Sequence, residues 1–178
     1  MKKFFTILFA VAAVFTLAAD DILIWKPDFT KLMRPNSGTG IWCNKKKGFV
    51  CKATATKDVM TLTVEKNPGG TFMDAQGMIL YGGKYEKGVK YEVSYKIKAN
   101  KDVKIWASVA MGKPPWKAFK SEYVELEAND AEEVDFDFVI PKDYEGKLRL
   151  VFLGLGNATD GTVFEISDFK FEKDVDKD

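Results

Sequence analysis

Residues Val89–Ala99 read VKYEVSYKIKA, and the alternation in this stretch decides the fold class. Val89, Tyr91, Val93, Tyr95 and Ile97 share one parity, and Lys90, Glu92, Ser94, Lys96 and Lys98 share the other. Successive side chains of a strand point to opposite faces, so this period of two gives one apolar face and one solvated face. An amphipathic helix would repeat its apolar residues every three to four positions, and no such period stands out after residue 19.

The same alternation recurs on both sides. Val103–Met111 directs Val103, Ile105, Ala107 and Val109 inward, and Glu132–Ile140 directs Val134, Phe136, Phe138 and Ile140 inward. Lys147–Leu153 sets Leu148, Leu150 and Phe152 against Arg149, Val151 and Leu153. Thr162–Phe171 carries Phe164, Ile166, Phe169 and Phe171, and its change of parity after Ile166 predicts a bulge near Ser167. Phe136, Phe138, Phe152 and Phe164 are read as core. Weaker strands are placed at Ile22–Trp25, Phe49–Ala55, Met60–Glu65 and Thr71–Leu80. Turn signals separate the strands: Asn67-Pro68-Gly69-Gly70, Gly82-Gly83, Asn100-Lys101-Asp102, Asn129-Asp130 and Asp160-Gly161. Many short strands with one apolar face each can bury those faces by packing two antiparallel sheets together. The expected fold is therefore all-β, a two-sheet antiparallel β-sandwich of jelly-roll form over residues 20–173, with a frayed polar tail at 174–178.

Residues 1–19, MKKFFTILFAVAAVFTLAA, have two lysines, an apolar run and a small-residue end, which is the pattern of a cleavable secretory signal peptide. The run is shorter than the roughly 20 residues of a membrane-spanning helix, and Asp20 and Asp21 follow it directly. The rest carries 25 basic against 26 acidic residues. This balance offers no basic surplus for nucleic acid and no acidic tail. Cys43 and Cys51 are the only cysteines. In an exported chain they read as one disulfide, a local staple across a hairpin; a metal site lacks support, because the chain has no histidine and no C-x-x-C.

Several of these segments, taken in order, resemble the carbohydrate-binding modules of the CenC type, families 4, 9 and 22. The strongest is Tyr85–Ala99, YEKGVKYEVSYKIKA, a glycine-containing turn leading into an aromatic-led strand. KIWASVAM, EEVDFDFVI, LRLVFLGLG and FEISDFKF follow, and TFMDAQ at Thr71–Gln76 precedes it. The resemblance implies a galactose-binding-like jelly roll whose concave sheet binds glycan. No cofactor is expected other than the structural calcium that members of this family often hold, for which Asp28 and Asp168 are the candidate ligands together with backbone carbonyls. Two positions depart from the family pattern: Ser167 stands where an aspartate is expected, and Thr30 where a glutamate is common.

The absence of histidine removes Ser-His-Asp and Cys-His arrangements and any imidazole base. Glycosidase chemistry needs a marked pair of carboxylates, and Glu92, Glu125, Glu127, Glu132 and Glu133 all sit at solvated or turn positions. The chain is read as having no enzymatic activity. Sugar binding instead needs flat aromatic rings on the polar side of strands, beside planar polar groups.

Trp106 is the leading candidate, since Ile105 and Ala107 claim the inward face; the alternative is that a loop covers it. In the family fold, strands matching Thr71–Leu80, Lys147–Leu153, Val103–Met111 and Ser121–Glu127 form the binding sheet. Parity would then give its outer face Phe72, Asp74, Gln76, Arg149, Trp106, Ser108, Tyr123 and Glu125. Gln76 offers donor and acceptor, and Arg149 a rigid donor fork. Trp116, in the loop Gly112–Phe119, either joins the ligand site or caps the core. Trp42 is assigned to a rim and Trp25 to the core.

The function read from the sequence is a secreted, periplasmic or cell-surface carbohydrate-binding protein without catalysis. Its expected partner is a polysaccharide or oligosaccharide, with a non-covalent protein partner as a further expectation and no membrane span once the signal is removed. The competing reading is a structural or protein-interaction sandwich of the cell envelope with no glycan ligand.

Overall fold

The computed structural model describes residues 22–33 and 37–175. The signal-peptide segment and the last three residues of the polar tail lie outside the described residues. In chain order the strands are β1 (Ile22–Trp25), β2 (Gly40–Cys43), β3 (Val50–Ala55), β4 (Met60–Lys66), β5 (Ala75–Tyr81), β6 (Lys90–Ala99), β7 (Val103–Met111), β8 (Ala118–Leu126), β9 (Ala131–Val139), β10 (Leu148–Gly154) and β11 (Thr162–Lys173). One helical turn, α1 (Phe29–Leu32), and 3-10 turns at Lys45–Lys47 and Phe72–Asp74 complete the regular structure.

The strands form two antiparallel sheets, and the expected sandwich is what the structure has. Sheet A runs β3-β4-β11-β6-β9, with β1 paired to the far end of β11. Sheet B runs β2-β5-β10-β7-β8. In β6 and β9 alternation built the core as read. Tyr91, Val93, Tyr95 and Ile97 of β6 are buried, and so are Val134, Phe136 and Phe138 of β9. The rings of Tyr91, Phe138 and Phe171 lie 5.1–6.3 Å apart. Full burial of such a side chain stabilises the fold by about 1.5–3 kcal/mol. Phe119 of β8 stacks on Phe138 of β9 at 5.7 Å, closing the sheets along that edge. The outer side of sheet A is instead a ladder of charge pairs, among them Lys90–Asp137, Lys96–Asp168 and Lys98–Glu165.

The bulge expected near Ser167 is present: the β11–β6 register shifts between Ser167 and Lys170, and Asp168 adopts φ 51°. Asp174 is not frayed, because it pairs with Lys90 at 2.5 Å.

Three readings are corrected. Strand β2 adds to the expected strands, since GIWC is too short to show a period in sequence. The segment Thr71–Leu80 is not one strand: Phe72–Asp74 form a 3-10 turn before β5 begins. In β10 the register to both neighbours shifts after Arg149. The extra residue at the shift reverses the parity, so Val151 and Leu153 join the core, whereas Phe152 pairs with Met78 and Ser108 on the outer side of sheet B.

Candidate functional site

The outer side of sheet B is where the exposed aromatic residues gather, and the strand register dictates how. Trp42 of β2 pairs with Gln76 of β5, Gln76 with Gly154 of β10, Gly154 with Trp106 of β7, and Trp106 with Tyr123 of β8. These five positions form one row that crosses every strand of the sheet. At ordinary strand spacing the row spans roughly 19 Å. Its central position has no side chain of its own. Phe72, from the preceding 3-10 turn, lies over Gly154 instead, where an added Cβ would fall 2.6 Å from the Phe72 ring. Phe72 and Trp106 rings are 6.1 Å apart, and Trp106 meets Tyr123 edge-on at 4.9 Å. Trp42 and Tyr123 at the two ends are 48% and 54% exposed, so the row forms an apolar strip open to solvent at both ends.

Of the sequence candidates, Phe72, Gln76, Trp106 and Tyr123 come together in this row, joined by Trp42, which was assigned only to a rim. The Gln76 amide nitrogen donates to the Met73 carbonyl at 2.8 Å, which fixes its orientation. Its oxygen accepts no hydrogen bond among the described residues. Glu125 lies one pair further along and is held by Lys104 at 2.6 Å, which lowers its pKa.

Asp74 departs from its expected place on the open face. It is buried at the end of the 3-10 turn, and its carboxylate accepts from Lys47 (2.9 Å), the Thr71 amide (2.9 Å) and Asn44 (3.0 Å). The Lys47 hydrogen bond, then those from Thr71 and Asn44, hold its pKa well below the usual carboxylate range. It anchors the turn that carries Phe72, and its oxygens face protein, not an open surface.

A second group lies two cross-strand pairs away. Met111 N–H donates to the Lys117 carbonyl (2.9 Å) and Gly112 N–H to the Lys147 carbonyl (2.8 Å), which folds the loop down at the start of β10. Trp116, 47% exposed, stacks over the Arg149 guanidinium, whose Cζ is 4.3 Å from the ring centroid. Phe152 lies against the same guanidinium at 5.2 Å. Phe152 was missed as a residue of this face. Both parities of LRLVFLG are apolar after Arg149, so no polar residue marked the reversal. Ser108 and Ala110 floor the space between the two groups, and both are buried.

The remaining candidates lie elsewhere. Asp28 is engaged by Thr30 and by Lys31 at 3.3 Å. Asp168 is paired with Lys96 at 3.0 Å and borders a cleft that Lys26 also lines. Among the described residues no three His, Cys, Asp or Glu side chains cluster as a metal site. Calcium takes carboxylate, carbonyl and water oxygens together, and here both candidate carboxylates are already engaged by lysines. Cys43 and Cys51 are free thiols in contact range, and Cys43 donates to the Phe49 carbonyl at 3.5 Å. They do not face each other across a hairpin, since β2 belongs to sheet B and β3 to sheet A.

Comparison with known proteins finds this fold in carbohydrate-binding modules of the CenC type. A structure described as CBM4 superposes with a TM-score of 0.66 at 19% identity, covering 80% of this chain and 94% of that one. The second N-terminal cellulose-binding domain of Cellulomonas fimi β-1,4-glucanase C gives 0.57 at 16%, covering 88% and 97%. The first N-terminal cellulose-binding domain of the same enzyme gives 0.54 at 16%, covering 73% and 91%. No protein-family model and no curated protein matches the sequence. At these identities the likeness defines the fold, a CenC-type jelly-roll sandwich.

Proposed function

We propose that this chain is an exported carbohydrate-binding protein without catalysis, and that it takes polysaccharide on the outer face of sheet B. The carrying observation is the row Trp42–Gln76–Phe72–Trp106–Tyr123, which crosses all five strands and ends in two exposed rings. Aromatic rings suit the C–H-rich faces of pyranoses, and the row reaches both edges of the sheet, so an internal stretch of a long chain can lie along it. The sandwich of the structural neighbours supports the same reading. Catalysis finds no support here, because a glycosidase acid needs a raised pKa. The carboxylates nearest the row, Asp74 and Glu125, are both held by lysines and both lowered.

Electrophoresis of the mature protein through gels cast with soluble xylan, β-glucan and mannan tests this reading. Retardation by at least one polymer, lost in Trp106→Ala, is expected. Absence of retardation and of any glycan-array signal would sink the glycan reading and leave a structural envelope domain. Full retardation of the variant would sink only the assignment of the row.

A further inference from the structure

The outer face of sheet B holds a charged group that ring stacking does not use. The Arg149 guanidinium is packed between side chains of this face, with Cζ 4.3 Å from the Trp116 ring centroid and 5.2 Å from that of Phe152. Its Nε is buried and makes no hydrogen bond. Its terminal nitrogens are also without a protein hydrogen bond or carboxylate partner among the described residues, and they reach solvent. The carboxylates of the neighbouring row are already taken, Glu125 by Lys104 and Asp74 by Lys47. Lys45 and Lys46, which with Trp42 line a cleft at the β2 end, also have no carboxylate partner among the described residues.

A partly desolvated cation without a counterion is unfavourable, and the burial that lowers the Arg149 pKa expresses that cost. With Nε buried and two rings packed close to Cζ, the guanidinium is reached through the terminal nitrogens at its edge. That edge carries the in-plane N–H pair that meets a carboxylate in a bidentate fork.

We infer that the polysaccharide taken by this face is acidic, with a hexuronate carboxylate received by Arg149 under Trp116. This deepens the glycan reading above and rests on it. Arg149 lies roughly 13 Å along the strands from the Trp106 row, so the uronate sits a few sugar units from the rings stacked there.

The test measures affinity of the mature protein for polygalacturonate, alginate and glucuronoxylan, each beside its carboxyl-reduced form, with dextran sulfate as a non-carboxylate polyanion. At least one uronate polymer is expected to bind about tenfold more tightly than its reduced form, the scale of a charge-assisted hydrogen bond. Arg149→Gln should erase that difference by weakening binding of the uronate polymer more than that of the reduced one, and Arg149→Lys should restore only part of it. Equal affinity for acidic and reduced forms overturns the inference and leaves glycan binding intact. An equal loss for both polymers in Arg149→Gln, with unchanged near-UV circular dichroism, overturns it in favour of a clamp for the Trp116 loop. Dextran sulfate binding as tightly as the uronate polymers overturns it in favour of diffuse charge attraction. Binding to none of these polymers, nor to neutral ones, removes the glycan reading as well.

Discussion

Asp74 and Gly154 shape the candidate site without offering it a side chain. Asp74 closes a capping box with Thr71 and ties the turn to Lys47 and Asn44, so it sets where Phe72 begins. Its folded-state pKa is depressed, so its contribution to stability is present above the unfolded carboxylate range near 3.9 and is lost as pH falls through the folded value. Asp74→Asn should lower the urea midpoint at neutral pH, and the two midpoints should converge as pH falls from about 5 toward 2. A constant gap across that range would show that the charge is irrelevant. Gly154 acts by leaving space. In Gly154→Ala the new methyl group meets the Phe72 ring, and overpacking of this kind costs about 1–3 kcal/mol. The expected outcome is lower stability in urea unfolding together with weaker glycan retardation. Adding Phe72→Ala should recover part of the stability, so the double variant is less destabilised than the sum of the two singles. The aromatic identities of this site were legible in the sequence, because Trp106 sits between two inward residues of a clean alternation. The role of Gly154 was not, because a cross-strand row through a glycine exists only once register is set.

At the scale of elements, the limits of sequence reading are concentrated in β10 and β2. Strands whose outer face is polar announce their parity, and β6, β7 and β9 were read with the right face inward. β10 is apolar on both faces because its outer side is covered by Trp116 and Arg149, so nothing in LRLVFLG marks the register shift that turns Phe152 outward. β2 is four residues long and is defined by its partner β5. Its placement changes the meaning of the cysteines. A Cys43–Cys51 bond would join sheet B to sheet A at the edge where Trp42 stands, a link between layers and not a hairpin staple. Burial, then the contact with Cys43, pushes the Cys51 thiol up to about 12, so reduced Cys51 is a poor nucleophile in the folded protein. Protein prepared under oxidising conditions should show no thiol that reacts with a disulfide reagent after unfolding in denaturant. It should also be more stable than the Cys43→Ser/Cys51→Ser variant by roughly 2–3 kcal/mol. Two titratable thiols in the unfolded oxidised sample would remove the bridge.

The described surface divides by sheet: paired charges cover sheet A, and rings with an arginine that has no partner among the described residues cover sheet B. This arrangement has a consequence for pH. The chain has no histidine, so its side chains lack the usual group that titrates between pH 5 and 8. Asp28, Asp74, Glu125, Glu145 and Asp168 all have lowered pKa values, chiefly through hydrogen bonds, to Thr30 for Asp28 and to lysines for the others. Depressed acids stabilise the fold above their unfolded values near 4 and lose that contribution on acidification. Asp135 works the other way: burial and then Glu133 and Asp137 raise its pKa, so its protonation relieves a strain and softens the acid limb. On the alkaline side Lys90, Lys96 and Lys173 are raised by carboxylate partners, and burial raises Tyr95. Groups raised in the folded state stabilise it below their unfolded values and lose that contribution as pH rises, here from about 10. The urea midpoint, followed by the fluorescence of the four tryptophans, should therefore be nearly flat from about pH 5 to about 9 and fall on both sides. Reduction should shorten this plateau. The raised Cys51 thiol adds a contribution lost from about pH 8.5, where the unfolded thiol ionises, and a disulfide removes that group altogether. Matching alkaline limbs for the oxidised and reduced protein would contradict the half-buried placement of Cys51 beside Cys43.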